Sequence, residues 1–206
     1  AMGRRAAQDM LLDADVERLT IADRDRSAAE ALAAAGVPLS SLAVVADAVT
    51  TPYQAILNAD LKAGDVAIFV GAGGVGSFGV QIAAHAGAHV VALDVDAARL
   101  AQIASLGASL CLDAAGPRRE LKKQIRAWVK AEGLPTTGWK IFETSGHPDG
   151  QLLAFSLLGY DAHLGVVGYT RDQIQVRLSN LMAFDATVRG TWGCLPEHYP
   201  AALDLV

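Results

Sequence analysis

Hydrophobic positions along this chain fall into short continuous runs separated by stretches of helical spacing. Val66-Ala67-Ile68-Phe69-Val70, His89-Val90-Val91-Ala92-Leu93-Asp94, Ala108-Ser109-Leu110-Cys111-Leu112, Lys140-Ile141-Phe142-Glu143-Thr144 and His163-Leu164-Gly165-Val166-Val167-Gly168 each read as a strand. A run that is apolar at every position belongs to a strand buried on both faces, the habit of parallel sheets covered by helices. Residues 174–178 and 186–192 add two more extended runs, expected as a strand pair at the sheet edge. Between the strands, helices are expected over 53–59, opened by Thr50-Thr51-Pro52, then over the Ala-rich run before Gly87, and over 96–106, 117–132 and 151–158. The 117–132 segment places Leu121, Ile125, Trp128 and Val129 on one stripe. Its other face carries Arg118, Arg119, Lys122, Lys123, Arg126 and Lys130, and reads as a solvated basic face. Short strands alternating with helices predict an α/β fold, a doubly wound parallel sheet with right-handed crossovers.

The glycines start where the first of these strands should end. In Gly71-Ala72-Gly73-Gly74-Val75-Gly76, Gly71 permits a tight turn and Gly73 lets the backbone approach a pyrophosphate. Gly76 lets the following helix pack closely, and the free N–H groups of that helix face the phosphates at the positive end of its dipole. Such a glycine cluster is also ordinary turn material, but here a strand precedes it and a helix and second strand follow. Asp94 closes that second strand, roughly 20 residues on, where a carboxylate accepts from the adenosine ribose hydroxyls of a Rossmann-type dinucleotide site. The same acid favours NAD over NADP, because a carboxylate about 4 Å from a 2′-phosphate costs several kcal/mol at a partly screened surface. Arg99 would soften that repulsion. Ligands of such sheets lie beyond the carboxyl ends of the strands, which aligns Gly71 to Gly76, Asp94, Thr144-Ser145-Gly146, Gly168-Tyr169-Thr170 and Thr191-Trp192-Gly193 along one trench.

Residues 1–36 read as a unit of their own: a helix over 4–12, a strand over 16–21 ending at Asp23, and a capped Ala-rich helix over 27–35 ending at Gly36. That is a partial Rossmann unit without its first strand, similar to the early part of saccharopine-dehydrogenase-like reductases. It is expected to pack as an appendage or a joined foreign piece and to hold no second nucleotide. Residues 37–206 form the second unit. Both ends of the chain are expected to be cut, since it opens without an initiator methionine and stops inside a helical pattern.

Composition narrows the partners. Of the 206 residues 52% are hydrophobic and 19% charged, the profile of a globular protein. The net charge is −5 and no basic stripe interleaves with aromatics, so small molecules or other subunits are expected and nucleic acid is not. No apolar run approaches the ~20 residues that span a bilayer, so no membrane partner is expected. Cys111 and Cys194 lie far apart without metal-ligand spacing and read as reduced thiols of a cytoplasmic protein. His85, His89, His147, His163 and His198 form no HExxH or other cluster, and no GK[ST] follows the glycines, so a P-loop hydrolase is not indicated.

Four stretches resemble the cofactor domain of medium-chain, zinc-dependent alcohol dehydrogenases: Val45-Ala46-Asp47-Ala48-Val49-Thr50-Thr51-Pro52-Tyr53, Gly71-Ala72-Gly73-Gly74-Val75-Gly76, Trp139-Lys140-Ile141-Phe142-Glu143-Thr144-Ser145-Gly146 and the run from Val176 to Asp185. Within that family they are most similar to dehydrogenases that oxidise a ring alcohol carried on a CoA thioester with NAD. The resemblance implies NAD phosphates at Gly71, Gly73, Gly74, Val75 and Gly76, ribose at Asp94 with Arg99 beside the adenosine, Thr144 in the trench, and nicotinamide near Thr51, Val167 and Tyr169. It also places Asp47 where many members have the third protein ligand of the catalytic zinc. The Cys and the His-Glu pair that complete such a site belong to an upstream GroES-like catalytic domain, which is expected to be absent here, as residues 1–36 contain neither Cys nor His. The implied activity is hydride transfer from an alicyclic secondary alcohol to NAD, with zinc as Lewis acid in the complete family member. Two other readings stay open: a dinucleotide-binding module without catalysis of its own, and a zinc-free NADPH quinone reductase relative, which Asp94 disfavours.

Overall fold

A computed structural model describes residues 44–205. The unit expected over 1–36 lies outside the described residues. Six strands, β1 (Val66–Val70), β2 (His89–Asp94), β3 (Leu110–Asp113), β4 (Lys140–Glu143), β5 (His163–Val166) and β6 (Thr187–Gly190), form one sheet. Their order is β3-β2-β1-β4-β5-β6 and every neighbouring pair is parallel. The strand order reverses between β1 and β4, the crevice where doubly wound sheets take their ligands. The α-helices of the described residues are α1 (Thr50–Asn58), α2 (Gly74–His85), α3 (Ala97–Ser105), α4 (Arg118–Ala131), α5 (Pro148–Leu157), α6 (Ser179–Phe184) and α7 (Tyr199–Leu203).

The alternation of side chains along β1 explains why the run is apolar throughout. Ala67 and Phe69 join a core cluster with Val49 and Ile56 of the α1 region, Val80 of α2 and Ile103 of α3. Val66, Ile68 and Val70 join the opposite cluster with Ile125 and Val129 of α4 and Leu153 and Leu157 of α5. The Phe69 ring stacks on Phe142 of β4 at 4.8 Å between centroids and 19° between planes. Gly79 of α2 lies directly over Phe69, where a Cβ would strike the ring. The approach of the helix to the strand here is therefore limited by the ring.

Three expectations are corrected. Residues 174–178 form no strand. Ile174 and Val176 do alternate with the exposed Gln175 and Arg177, but this segment belongs to the crossover that returns the chain from β5 to β6. Instead of a strand pair, the edge is β6 alone, with all four residues exposed. Thr50-Thr51-Pro52 does not cap a helix, because the chain is already helical from Val45, through a five-residue π-helical turn over Val45–Val49 that runs into α1. Proline inside an α-helix clashes with the carbonyl four residues back, and the wider turn immediately before Pro52 relieves that clash. Lys122 leaves the basic face of α4: half-buried, it donates to the Ser156 and Leu158 carbonyls at the end of α5, at 2.9 and 2.6 Å.

His163 is buried at the start of β5, its Nδ1 2.9 Å from the Thr187 hydroxyl and its Nε2 without a partner among the described residues. Burial, with Lys140 and Arg189 nearby, holds its pKa below 6.5. A base whose pKa is depressed by folding takes up its proton more readily in the unfolded chain, so the stability it contributes is complete above pH 6.5 and lost as the pH falls through the folded value. Thermal unfolding between pH 7.5 and 5 should show a fall in Tm that is smaller in His163→Leu. An identical pH profile in the two proteins would contradict this.

Candidate functional site

The turn after β1 continues the strand by one residue, the Gly71 amide donating to the Leu93 carbonyl at 2.8 Å. Gly71 then takes a φ of +98°, open to glycine and strained for other residues, and a Cβ there would lie 2.6 Å from the Ser145 amide and Cα. A Cβ on Gly76 would overlap the Gly71 carbonyl oxygen and lie 2.8 Å from Thr144 Oγ1. These two glycines are thus demanded by packing. Gly73 and Gly74 are different: none of the described residues stands within 4 Å of where a Cβ would be at either position, and neither has a positive φ. The fold itself has no use for glycine there. What glycine leaves is open space in front of the first turn of α2, whose amides no side chain caps.

Asp94 ends β2 and is buried, 5% exposed. Its Oδ2 accepts from the Ala72 amide at 2.7 Å and its Oδ1 from the Asp96 amide at 2.9 Å. The carboxylate is therefore fastened to the glycine turn itself, and each oxygen retains a lone pair for a sugar hydroxyl. Arg99, in the first turn of α3, brings Nη1 to 3.9 Å from Asp94 Oδ1 and Nε to 3.5 Å from Asp96 Oδ2. Asp96 caps that helix by accepting from the amides of Ala98 and Arg99. A groove of about 360 Å³ runs beside the turn, lined by Gly73, Gly74, Ser77, Gln81 and Arg99 among others.

The next strand end, after β4, braces the turn from the other side. Thr144 Oγ1 donates to the Gly71 carbonyl at 2.7 Å. Glu143, fully buried, accepts on Oε1 from the Ser145 amide at 2.9 Å, the Ser145 hydroxyl at 2.5 Å and the Gly146 amide at 3.1 Å. Burial pushes the Glu143 carboxyl up, against the opposing pull of the Ser145 hydroxyl and the two amides. Its Oε2 has no hydrogen-bond partner among the described residues. Sequence reasoning passed over Glu143. The available signal was an acid closing an apolar strand, the pattern that singled out Asp94 on β2.

After β5, the amides of Val167 and Gly168 both donate to the Glu143 carbonyl at 2.9 Å, and Tyr169 follows with its side chain exposed. The structure therefore joins Gly71 to Gly76, Asp94, Arg99, Thr144 and the Val167–Tyr169 loop by direct contacts. On the α1 side, Thr51 Oγ1 donates to Asp47 Oδ1 at 2.8 Å, and among the described residues no hydrogen bond joins this pair to the loops after β1, β4 and β5. Among the described residues no three His, Cys, Asp or Glu side chains gather into a metal-binding group. One exposed carboxylate is a quarter of a tetrahedral zinc shell, so these residues by themselves do not fit the ion. The glycine turn and Asp94, by contrast, fit a dinucleotide: donors face an open space, and an acceptor stands where the sugar follows the phosphates.

These features define a nicotinamide-dinucleotide-binding domain of the Rossmann type. A model of the zinc-binding dehydrogenase family matches residues 74–206, and the chain belongs to that family. Curated relatives include an alcohol dehydrogenase of Rhizobium meliloti (strain 1021), 29% identical over 141 residues, 68% of this chain and 39% of that protein. The D-guloside 3-dehydrogenase of Escherichia coli (strain K12) is 29% identical over 130 residues, 63% of this chain and 35% of that protein. Among solved structures, the alcohol dehydrogenase of Aeropyrum pernix superposes with a TM-score of 0.70 at 25% identity, over 82% of this chain and 49% of that one. An alcohol dehydrogenase of Thermotoga maritima shares the fold with a TM-score of 0.72 at 24% identity, over 91% of this chain and 48% of that one. The chain thus spans well under half the length of these curated relatives. Among the described residues no helix is long and apolar enough to cross a membrane.

Proposed function

We propose that this chain is the NAD-holding portion of an alcohol dehydrogenase that moves a hydride from an alicyclic secondary alcohol, carried as a hydroxyacyl-CoA thioester, to the cofactor. The observation that carries the NAD reading is the pair Gly73 and Gly74, glycines that packing does not require, set between uncapped helix amides and the anchored carboxylate of Asp94. In this reading the amides of the α2 first turn hold the diphosphate, Asp94 accepts from the ribose hydroxyls, Arg99 flanks the adenosine, Thr144 lines the trench, and Thr51, Val167 and Tyr169 border the nicotinamide half. NAD, when bound, supplies the hydride acceptor, and the chain's part is to fix its position. The substrate class is supported by the linear stretches 45–53, 139–146 and 176–185, which resemble 6-hydroxycyclohex-1-ene-1-carbonyl-CoA dehydrogenase of anaerobic benzoyl-CoA degradation.

A second reading, a dinucleotide-binding module that catalyses nothing alone, is favoured by the Asp47 carboxylate, which joins no metal-binding group among the described residues. Titrating the 206-residue chain with NADH and following nicotinamide fluorescence should give saturable binding in the micromolar range; failure to saturate would defeat the cofactor assignment. Adding zinc, NAD and a panel of alcohols that includes an alicyclic hydroxyacyl-CoA separates the two readings, since turnover by this chain alone would exclude the module.

A further inference from the structure

Residues 144–146 are the piece of the trench that touches both of its halves, largely through their backbone. On one side, the Ser145 amide and Cα press on Gly71, and the Thr144 hydroxyl holds the Gly71 carbonyl. On the other, a Cβ on Gly146 would lie 2.9 Å from the Tyr169 carbonyl oxygen, and one on Gly168 would lie 2.7 Å from Gly146 Cα. Backbone packed directly on backbone transmits a displacement instead of absorbing it. Whatever orders Ser145 and Gly146 therefore sets the phosphate turn and the Val167–Tyr169 loop together. The group that orders them is Glu143. Three donors from this segment converge on its Oε1, while its main-chain carbonyl takes the amides of Val167 and Gly168. Its Oε2 is buried, has no donor among the described residues, and lies 2.6 Å from where a Gly168 Cβ would be. An unpaired buried carboxylate oxygen costs the fold stability, which a hydrophobic residue at this position would not. The acid is therefore explained by what it holds in place and not by core packing.

We propose that Glu143 is a positioning residue that couples the phosphate turn to the nicotinamide-side loop, so that one buried carboxylate aligns both halves of the trench for the dinucleotide. The inference rests on the dinucleotide reading for its purpose, but its physical content can be measured without any ligand. Amide hydrogen exchange on the full ligand-free chain should show Glu143→Leu speeding exchange by about tenfold or more at Ser145, Gly146, Ala72 and Gly168, the loss expected for a hydrogen bond to a charged group. The interior amides of β1 and β4 should be unchanged. Glu143→Gln keeps an acceptor at Oε1 and should return exchange to within about threefold of the parent, a rescue that a merely space-filling role would not require. Should Glu143→Leu not fold, Ser145→Gly removes one donor from the same oxygen and should give the same pattern at smaller amplitude. Exchange that stays unchanged in the loops, or that rises uniformly through the strands, would overturn the proposal. With NADH and ADP-ribose as probes, the coupling predicts that Glu143→Leu weakens both; weakening of NADH alone would also refute it. If the unsubstituted chain binds neither probe, the cofactor reading fails, and the exchange pattern still decides the coupling.

Discussion

Alanine at Gly76 should cost the chain its cofactor and part of its stability together. The added Cβ overlaps the Gly71 carbonyl oxygen and presses on Thr144 Oγ1, and the first of these is backbone that cannot swing aside. Overpacking of this kind costs about 1–3 kcal/mol, which for a chain of this size lowers Tm by roughly 2–4 °C per kcal/mol. Relieving the overlap shifts the turn relative to the α2 amides, and a misplacement of about 1 Å at a positioned site is worth roughly a hundredfold, so NADH affinity should fall by at least that much. The informative control is Gly74→Ala. None of the described residues stands within 4 Å of that Cβ, so Tm should stay put or rise slightly, while the methyl occupies the space assigned to the diphosphate and NADH binding is still lost. A Gly74→Ala protein that binds NADH as tightly as its parent would show that the open space holds no phosphate.

Asp94→Ala should weaken NADH by roughly 10- to 100-fold, the range for losing hydrogen bonds to a charged acceptor. The substitution also strips acceptors from the amides of Ala72 and Asp96, so part of the loss comes through the turn and part through the sugar. The ratio of NADPH to NADH affinity isolates the second part. Removing the carboxylate removes its repulsion of a 2′-phosphate and leaves Arg99, now relieved of a partner 3.9 Å away, to face that phosphate. The ratio should move toward NADPH by about tenfold. A proportional loss of both cofactors would assign Asp94 to holding the turn and not to the ribose. Salt sharpens the distinction, because the NADPH term is screened and the turn contacts are not.

The parts of this fold that were legible in the sequence are those whose environment is the same on both faces. β1, β2 and β4 are apolar runs because helices cover both sides of the sheet, and the glycine turn is legible because two of its positions have no room for a Cβ and two others face open space. Residues 174–178 misled because alternation records a half-buried surface and says nothing about a neighbouring strand; Ile174 and Val176 are half-buried, yet β6 occupies the place beside β5. The turn before Pro52 was invisible for a related reason: a Thr-Thr-Pro triplet signals a helix start locally, whereas the helix was already running from Val45. Lys122 read as one of six surface cations, and only the end of α5, 34 residues away, turns it inward. Glu143 needed the loops after β4 and β5 to be placed side by side before its purpose could be read.

The stacked Phe69 and Phe142 rings carry a consequence for temperature and for homologous change. An aromatic ring has no internal torsion and scarcely compresses, so the height of α2 above the sheet is gauged by covalent geometry, whereas a leucine in the same hole would offer several rotamers and several heights. The amides at the start of α2 inherit that single height. A shift of β1 in the core is thereby passed on, with little damping, to the ledge on which a diphosphate would rest.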